Sequence, residues 1–591
     1  MNGGMKRQWL LAALFALAAI LSGCTVKQAA PAMCTVVLED HGEIRFRNQV
    51  FAVPRGSDLT VTAIIPQGKR IASVSYPGSV ISPCVLETAA ARDYQITLPS
   101  VRYPALVRLT LMPDYVTEYR FEDRLPVSVT ESSQRLRVNT LPWQQDFSRE
   151  GSYPLGWRVI GTEEIIGFGS RFDHSAAQRM QLECAWMPCT EAAAFEYTCT
   201  GAGAVITGYK GSGSVIIPDK LDGFPVVGIA ENAFGSVDTD ILALPQTLQF
   251  IQPGAFTALR AEHLYLFDSL QAVSDASFGK SAVSHLHIHA ATEPVYCGTY
   301  FDTLSEKIDY LASVAEEPKI ILFCGSSARF GYDSPMLEGA FPGYKVVNMG
   351  VYAYSNMLPQ AMLLEEYLRP GDIVLSSPEL DAIDTQFCGS RRLDREFFAM
   401  MESNYDMLSA LEISELEGIF DALGAYLQER RKLTPRSYLD IPAHYDEDNN
   451  PSASLSYNRQ GDYILHRPSN TDRRLFGIKR AFYNESHIRQ EDWLGLNRIY
   501  DRFQALGARV FFTYSPRSQR SICSDSDSAS IRALGQAFRE RLNVPVISSI
   551  EDSLMDAFYF YGTDNHLTTE GAAIHTKAVI ADLQRALEEN T

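Results

Sequence analysis

The hydrophobic pattern of this chain takes three forms in succession. From Cys34 to about Val138, apolar and polar residues alternate in short runs, as in Leu59-Thr60-Val61-Thr62-Ala63-Ile64-Ile65 and Val107-Arg108-Leu109-Thr110-Leu111. Turns such as Pro54-Arg55-Gly56 and Pro66-Gln67-Gly68 separate the runs. Alternation sends successive side chains to opposite faces of a strand, so residues 34–140 are expected to form a small all-β module. It reads as a spacer or as a partner-binding module.

The second form is a repeat over residues 195–290. Phe234, Phe256 and Phe278 are spaced 22 residues apart, and so are Leu242, Leu264 and Leu286. The segments 229–234, 251–256 and 273–278 share one plan, and Val215-Ile216-Ile217-Pro218 looks like an earlier copy. One short strand per 22 residues predicts a solenoid, because each coil buries its apolar face only against its neighbours. The pattern resembles the BspA type of leucine-rich repeat of bacterial surface proteins. That resemblance implies a short solenoid whose surface either contacts a protein or glycan or serves as a spacer. His285, His287 and His289 alternate on its last strand, which predicts one solvent-exposed sheet face.

The third form begins near Tyr300. Continuous apolar runs at 319–324, 344–348, 372–376 and 509–513 alternate with amphipathic stretches at 360–368, 493–506, 528–542 and 571–587. A fifth run is Val544-Pro545-Val546-Ile547. Strands apolar on both faces, separated by helices, predict a parallel sheet covered on both sides. Residues 389–480 interrupt the order as an insertion, helical from Leu393 to Arg431 and loop-like around His444-Tyr445-Asp446, expected beside the site as a lid.

Lys6 and Arg7 precede an apolar stretch from Trp9 to Leu21, too short for a spanning helix of roughly 20 residues, which stops at Leu21-Ser22-Gly23-Cys24. The tetrapeptide resembles the lipobox of bacterial lipoproteins. That resemblance implies a signal peptide at 1–23, lipidation of Cys24, a tether at 24–33 and an extracytoplasmic, membrane-anchored protein. The formal charge of −19, without a basic stripe, argues against nucleic acid as a partner. Cys184 and Cys189, with Cys199 nearby, lack the tighter spacing or the histidines of a zinc site, so no metal or cofactor is expected.

The chemistry concentrates at strand ends. Gly325-Ser326-Ser327 follows the first apolar run, Asn348-Met349-Gly350 closes the second, and Asp564-Asn565-His566 precedes the last helix. A serine, a backbone donor and an acid–histidine pair are the minimum kit for acyl transfer through serine. Ligands of open α/β sheets bind beyond the carboxyl ends of the strands, where these segments are expected.

With His566-Leu567-Thr568 and Gly571, these segments resemble the SGNH (GDSL-like) hydrolase superfamily, and more narrowly its cell-envelope branch related to DltD and alginate O-acetylation proteins. The resemblance covers residues 300–591 and implies a three-layer, flavodoxin-like α/β domain. It implies Ser327 as nucleophile, His566 as base, Asp564 as the acid orienting the imidazole, and the N–H groups of Ser327 and Gly350 as oxyanion donors. Asp564 stands two residues before the histidine, where the family commonly has three, and the family's third-block Asn is not found. Asn348 is a further substrate-contact candidate. Glu379 reads as a site residue or a solvated loop acid, and Arg517 as an anion holder or a surface residue.

The expectation is thus a multidomain chain carrying a serine esterase or O-acyltransferase for acyl or acetyl groups of envelope or host glycans. The alternative is an adhesion or glycan-binding protein that uses its repeats, with a degenerate hydrolase domain.

Overall fold

The computed structural model describes residues 32–589 except 40–42, 77–78, 83–84, 89, 114, 123, 131–136, 174–178, 297–300, 388–392, 434–456, 465–466, 468 and 470–480. The expected signal segment, Cys24 and the loop around His444 lie outside the described residues. Among the described residues no helix is long and apolar enough to cross a membrane. The chain divides into two compact units, residues 1–116 with 129–135 and residues 117–128 with 136–591.

The first unit is all-β. Strand β1 (Met33–Glu39) lies in one sheet and β2 (Ser57–Pro66) with β3 (Ala91–Val101) in another, while β4 (Ala105–Pro113) pairs parallel with β1. Alternate residues turn inward: Val36 and Leu38 from β1, Val61, Ala63 and Ile65 from β2, Ile96 and Leu98 from β3, Val107 and Leu109 from β4 form one core.

The second unit is a mixed α/β body. Its 22-residue spacing is the register of a parallel ladder. In β7 (Phe234–Ala243), β8 (Phe256–Phe267) and β9 (Ala282–His289), Phe234 faces Phe256, and Leu242, Leu264 and Leu286 stand in one row. Before them, β5 (Ser152–Val159) and β6 (Arg179–Pro188) pair antiparallel. The phenylalanines stack: Phe234 on Phe256 at 4.9 Å, and Phe256 on Phe278 of the short helix α1 (Asp275–Phe278) at 5.1 Å.

The α/β part begins with α2 (Leu304–Ser313) and β10 (Lys319–Phe323), followed by α3 (Ser326–Gly331), β11 (Lys345–Asn348) and β12 (Ile373–Ser376). Then come α4 (Ile383–Phe387), α5 (Arg395–Met401), α6 (Ile419–Arg430), α7 (Gln490–Ala505), β13 (Arg509–Phe512) and α8 (Thr569–Glu589). The sheet is parallel, in the order β11-β10-β12-β13. The run at 544–547 adds only an isolated parallel bridge between Phe512 and Val546. Strand faces alternate between two cores. Ile320, Leu322, Ile373 and Leu375 pack with Val579 and Leu583 of α8, whereas Ile321, Phe323 and Val374 pack with Leu496 and Phe503 of α7. This explains why the strands read as unbroken apolar runs.

Two expectations are corrected. The repeat region and the α/β region are not separate bodies, since one hydrophobic core runs from Phe195 to Ile550. The helical half of the insertion is not a lid but packs on the repeats. Phe420 of α6 extends the phenylalanine stack at 3.8 Å from Phe278, and Asp275 Oδ1 accepts from Phe420 N and Asp421 N. Arg430, nearly buried, joins Glu402 at 2.6 Å and Asp268 at 3.1 Å, tying the insertion to the repeat ladder.

The histidine face is covered too. His285 Nδ1 lies 3.3 Å from Leu411 O, His287 stacks on Tyr265 at 4.2 Å, and His289 is 2% exposed among Tyr153, Phe168 and Phe267. Period-two alternation locates a second face but not what covers it.

Candidate functional site

Strand β10 delivers the chain to Gly325, the residue that caps α3, and Ser326 is the first helical residue. A Cβ on Gly325 would sit 2.6 Å from both Glu379 Oε2 and Gln386 Nε2, so only glycine allows this approach. His566 enters from the loop before α8, and its Nε2 lies 2.9 Å from Ser326 Oγ. Phe330, one helical turn after Ser326, stacks on the imidazole with centroids 4.1 Å apart and planes at 21°. Ser326 and His566 are each 4% exposed.

The hydroxyl facing the histidine is therefore that of Ser326, not Ser327. One residue turns an α-helix by about 100°, so neighbouring serines point in different directions. Ser327 Oγ turns into the protein, 3.1 Å from Cys324 Sγ, and Ser327 is fully buried. Its N–H donates to Glu379 Oε1 at 2.7 Å and so is already engaged. Glu379, 1% exposed, is not a solvated loop acid. Its other oxygen accepts from Gln386 Nε2 of α4, and Cys324 Sγ lies 3.4 Å from it. This pairing joins the ends of β10 and β12, where the strand order reverses and α/β sheets bind ligands.

The second expected oxyanion donor is engaged as well. Gly350 N donates to Asn348 Oδ1 at 3.0 Å. Asn348 Nδ2 donates to Ala328 O at 2.9 Å and Asp462 Oδ1 at 2.7 Å, and its carbonyl accepts from buried Lys307 at 2.6 Å. Asn348 is thus fully buried, with both its side-chain amide and its carbonyl engaged within the protein. Gly350 is dictated by space, since a Cβ there would collide with Arg329 N and come within 2.9 Å of Gly325 O.

Asp564 lies in the His566 loop, but its buried Oδ1 has no hydrogen-bond partner among the described residues. Burial raises its pKa, partly offset by the Arg517 charge. The backbone N–H of His566 donates to Thr563 Oγ1 at 3.1 Å, which shapes the loop. Arg517 is not a surface residue: it is 4% exposed, pairs with Asp381 at 2.9 Å and donates through Nε to Ser521 Oγ at 2.9 Å.

Helix α3 has only six residues, so its ends depend on outside partners. Glu379 serves the first turn. At the other end, Tyr463 N donates to Arg329 O at 3.0 Å, Arg467 to Phe330 O at 2.6 Å and His575 Nδ1 to Gly331 O at 2.9 Å. Asp462, from the insertion, fastens this support by accepting from Ser334 Oγ at 2.6 Å. The sequence reading missed Phe330, Gln386, Asp462 and His575. Only Phe330 left a local signal, its four-residue offset from Ser326.

Among the described residues, no group of three or more His, Cys, Asp or Glu side chains is arranged to hold a metal. Neither a scan against protein-family models nor a search of curated proteins finds a match to this chain. Chemically, a hydroxyl hydrogen-bonded to an imidazole, in a site largely closed to water, can pass its proton to Nε2 and attack an acyl carbon.

Proposed function

We propose that the second unit carries a serine acyl-transfer site in which Ser326 is the nucleophile and His566 the base and then the acid. The observation that carries the reading is the 2.9 Å contact between Ser326 Oγ and His566 Nε2 at the carboxyl edge of a parallel sheet. Attack by Ser326 Oγ on an ester carbonyl forms the acyl-enzyme, and His566 returns the proton to the leaving alcohol. Water or a sugar hydroxyl then takes the acyl group, its proton passing to His566 and from there to the departing Ser326 Oγ. The SGNH resemblance and the lipobox at Cys24 favour acyl or acetyl groups on envelope or host glycans as substrates, with the protein held at the outer face of a bacterial membrane. An acyl oxyanion competes with Glu379 and Asn348 for the N–H groups of Ser327 and Gly350.

That competition also favours a second reading, a non-catalytic surface protein that binds a protein or glycan through its repeats. A fluorophosphonate probe separates the two. Labelling of folded wild-type protein that disappears in Ser326→Ala supports the acyl-transfer site, and absence of wild-type labelling supports the binding protein.

A further inference from the structure

The geometry points to Phe330 as the residue that positions the general base, an inference that rests on the acyl-transfer reading of Ser326 and His566. A histidine on a loop turns about two side-chain torsions, and proton transfer requires its Nε2 edge to face the hydroxyl in the ring plane. The Phe330 ring lies nearly parallel to the imidazole, at 21° and 4.1 Å between centroids. A flat plate at that distance fixes the plane of the imidazole and leaves its edge free to reach Ser326 Oγ at 2.9 Å.

Ser326 and Phe330 stand four residues apart on α3, hence on one face of the helix. A single six-residue helix therefore sets both the distance to the base and its plane. Phe330 is itself immobilised. It is fully buried, packs 4.8 Å from Tyr463, and its carbonyl accepts from Arg467. A further aromatic neighbour, Tyr561, lies 6.3 Å away at the start of the His566 loop. Asp564 fits an orienting role less well, because its buried Oδ1 has no hydrogen-bond partner among the described residues.

The test compares Phe330→Leu, Phe330→Tyr and Asp564→Asn in the full chain, by fluorophosphonate labelling rate and by kcat and KM on a p-nitrophenyl ester. Phe330→Leu keeps bulk but loses the plate. It is expected to lower kcat and the labelling rate about 10–100-fold, the cost of a misplaced catalytic group, with KM little changed. Phe330→Tyr is expected to restore most of the rate, and Asp564→Asn to lower it less than Phe330→Leu does. A folded Phe330→Leu protein that labels at the wild-type rate would overturn the inference and leave the serine site standing. Wild-type protein that does not label overturns the serine site and the role of Phe330 together. In case Phe330→Leu does not fold, NMR of the wild type gives a second readout: the His566 ring protons are expected upfield, in the ring current of Phe330. Shifts at the positions of an unstacked histidine would count against the inference.

Discussion

Ser326 Oγ and His566 Nε2 lie 2.9 Å apart, although 240 residues separate them in sequence. Ser327, the neighbouring serine, faces Cys324 instead. Ser326→Ala is therefore expected to abolish fluorophosphonate labelling. Ser327→Ala is expected to keep most of it and to cost about 1 kcal/mol of stability through the lost buried hydrogen bond. Labelling rates and urea midpoints of the two variants check this, and the reverse pattern would return the nucleophile to Ser327.

Glu379 Oε1 accepts from the N–H of Ser327 at 2.7 Å. Glu379→Gln exchanges the carboxyl acceptor for an amide, whose hydrogen bond is weaker by about 1 kcal/mol. The N–H becomes more available to an oxyanion, so the labelling rate is expected to rise about fivefold. The thermal midpoint should fall, because Gln386 and Cys324 lose their carboxylate partner. A decreased labelling rate in folded protein would show that Glu379 supports the chemistry rather than competing with it.

Phe420 closes the aromatic stack of the repeats against Phe278 and is mostly buried. Phe420→Ala is expected to destabilise the second unit by about 3–5 kcal/mol, the usual cost of removing a core phenylalanine. Equilibrium unfolding in urea measures it. A loss below about 1 kcal/mol would mean that the insertion contributes little to the repeat core.

Burial lowers His287 to about 4 and His289 to about 3, and neighbouring histidines act in the same direction. The unfolded chain binds these protons near pH 6.5, whereas the folded chain refuses them until about pH 4 and 3. Their contribution to stability is thus complete above pH 6.5 and is lost as the pH falls toward 3, at up to about 1.4 kcal/mol per pH unit for each histidine. Asp268 and Asp394, raised to about 6 by burial, act oppositely between about pH 4 and 6. The histidine term is therefore read as a difference: between pH 6 and 4, His289→Phe should lose less stability than the wild type. Parallel pH dependences in the two proteins would contradict the burial of His289.

Much of the fold was legible because its periods are local. Two-residue alternation marked the β module, continuous apolar runs marked β10 to β13, and the 22-residue spacing of Phe234 and Phe256 became the register of β7 on β8. His566 was legible as chemistry because its loop stands before a clear helix start. The hydroxyl that meets His566 stands one residue before the serine expected from the sequence, and spacing alone does not separate the two, because each residue of a helix turns the side chain by about 100°.

The sequence by itself determined which strands are buried on both faces, which residues repeat in register, and which three segments lie near the sheet edge. Those properties follow from spacing along the chain. Only the tertiary structure decided that Ser326 meets His566, that Glu379 and Asn348 already hold the expected oxyanion donors, and that the insertion closes the repeat core at Phe420. The reason is physical: each of these contacts joins groups whose relative direction is fixed by packing, and packing is a property of the whole core rather than of any local run.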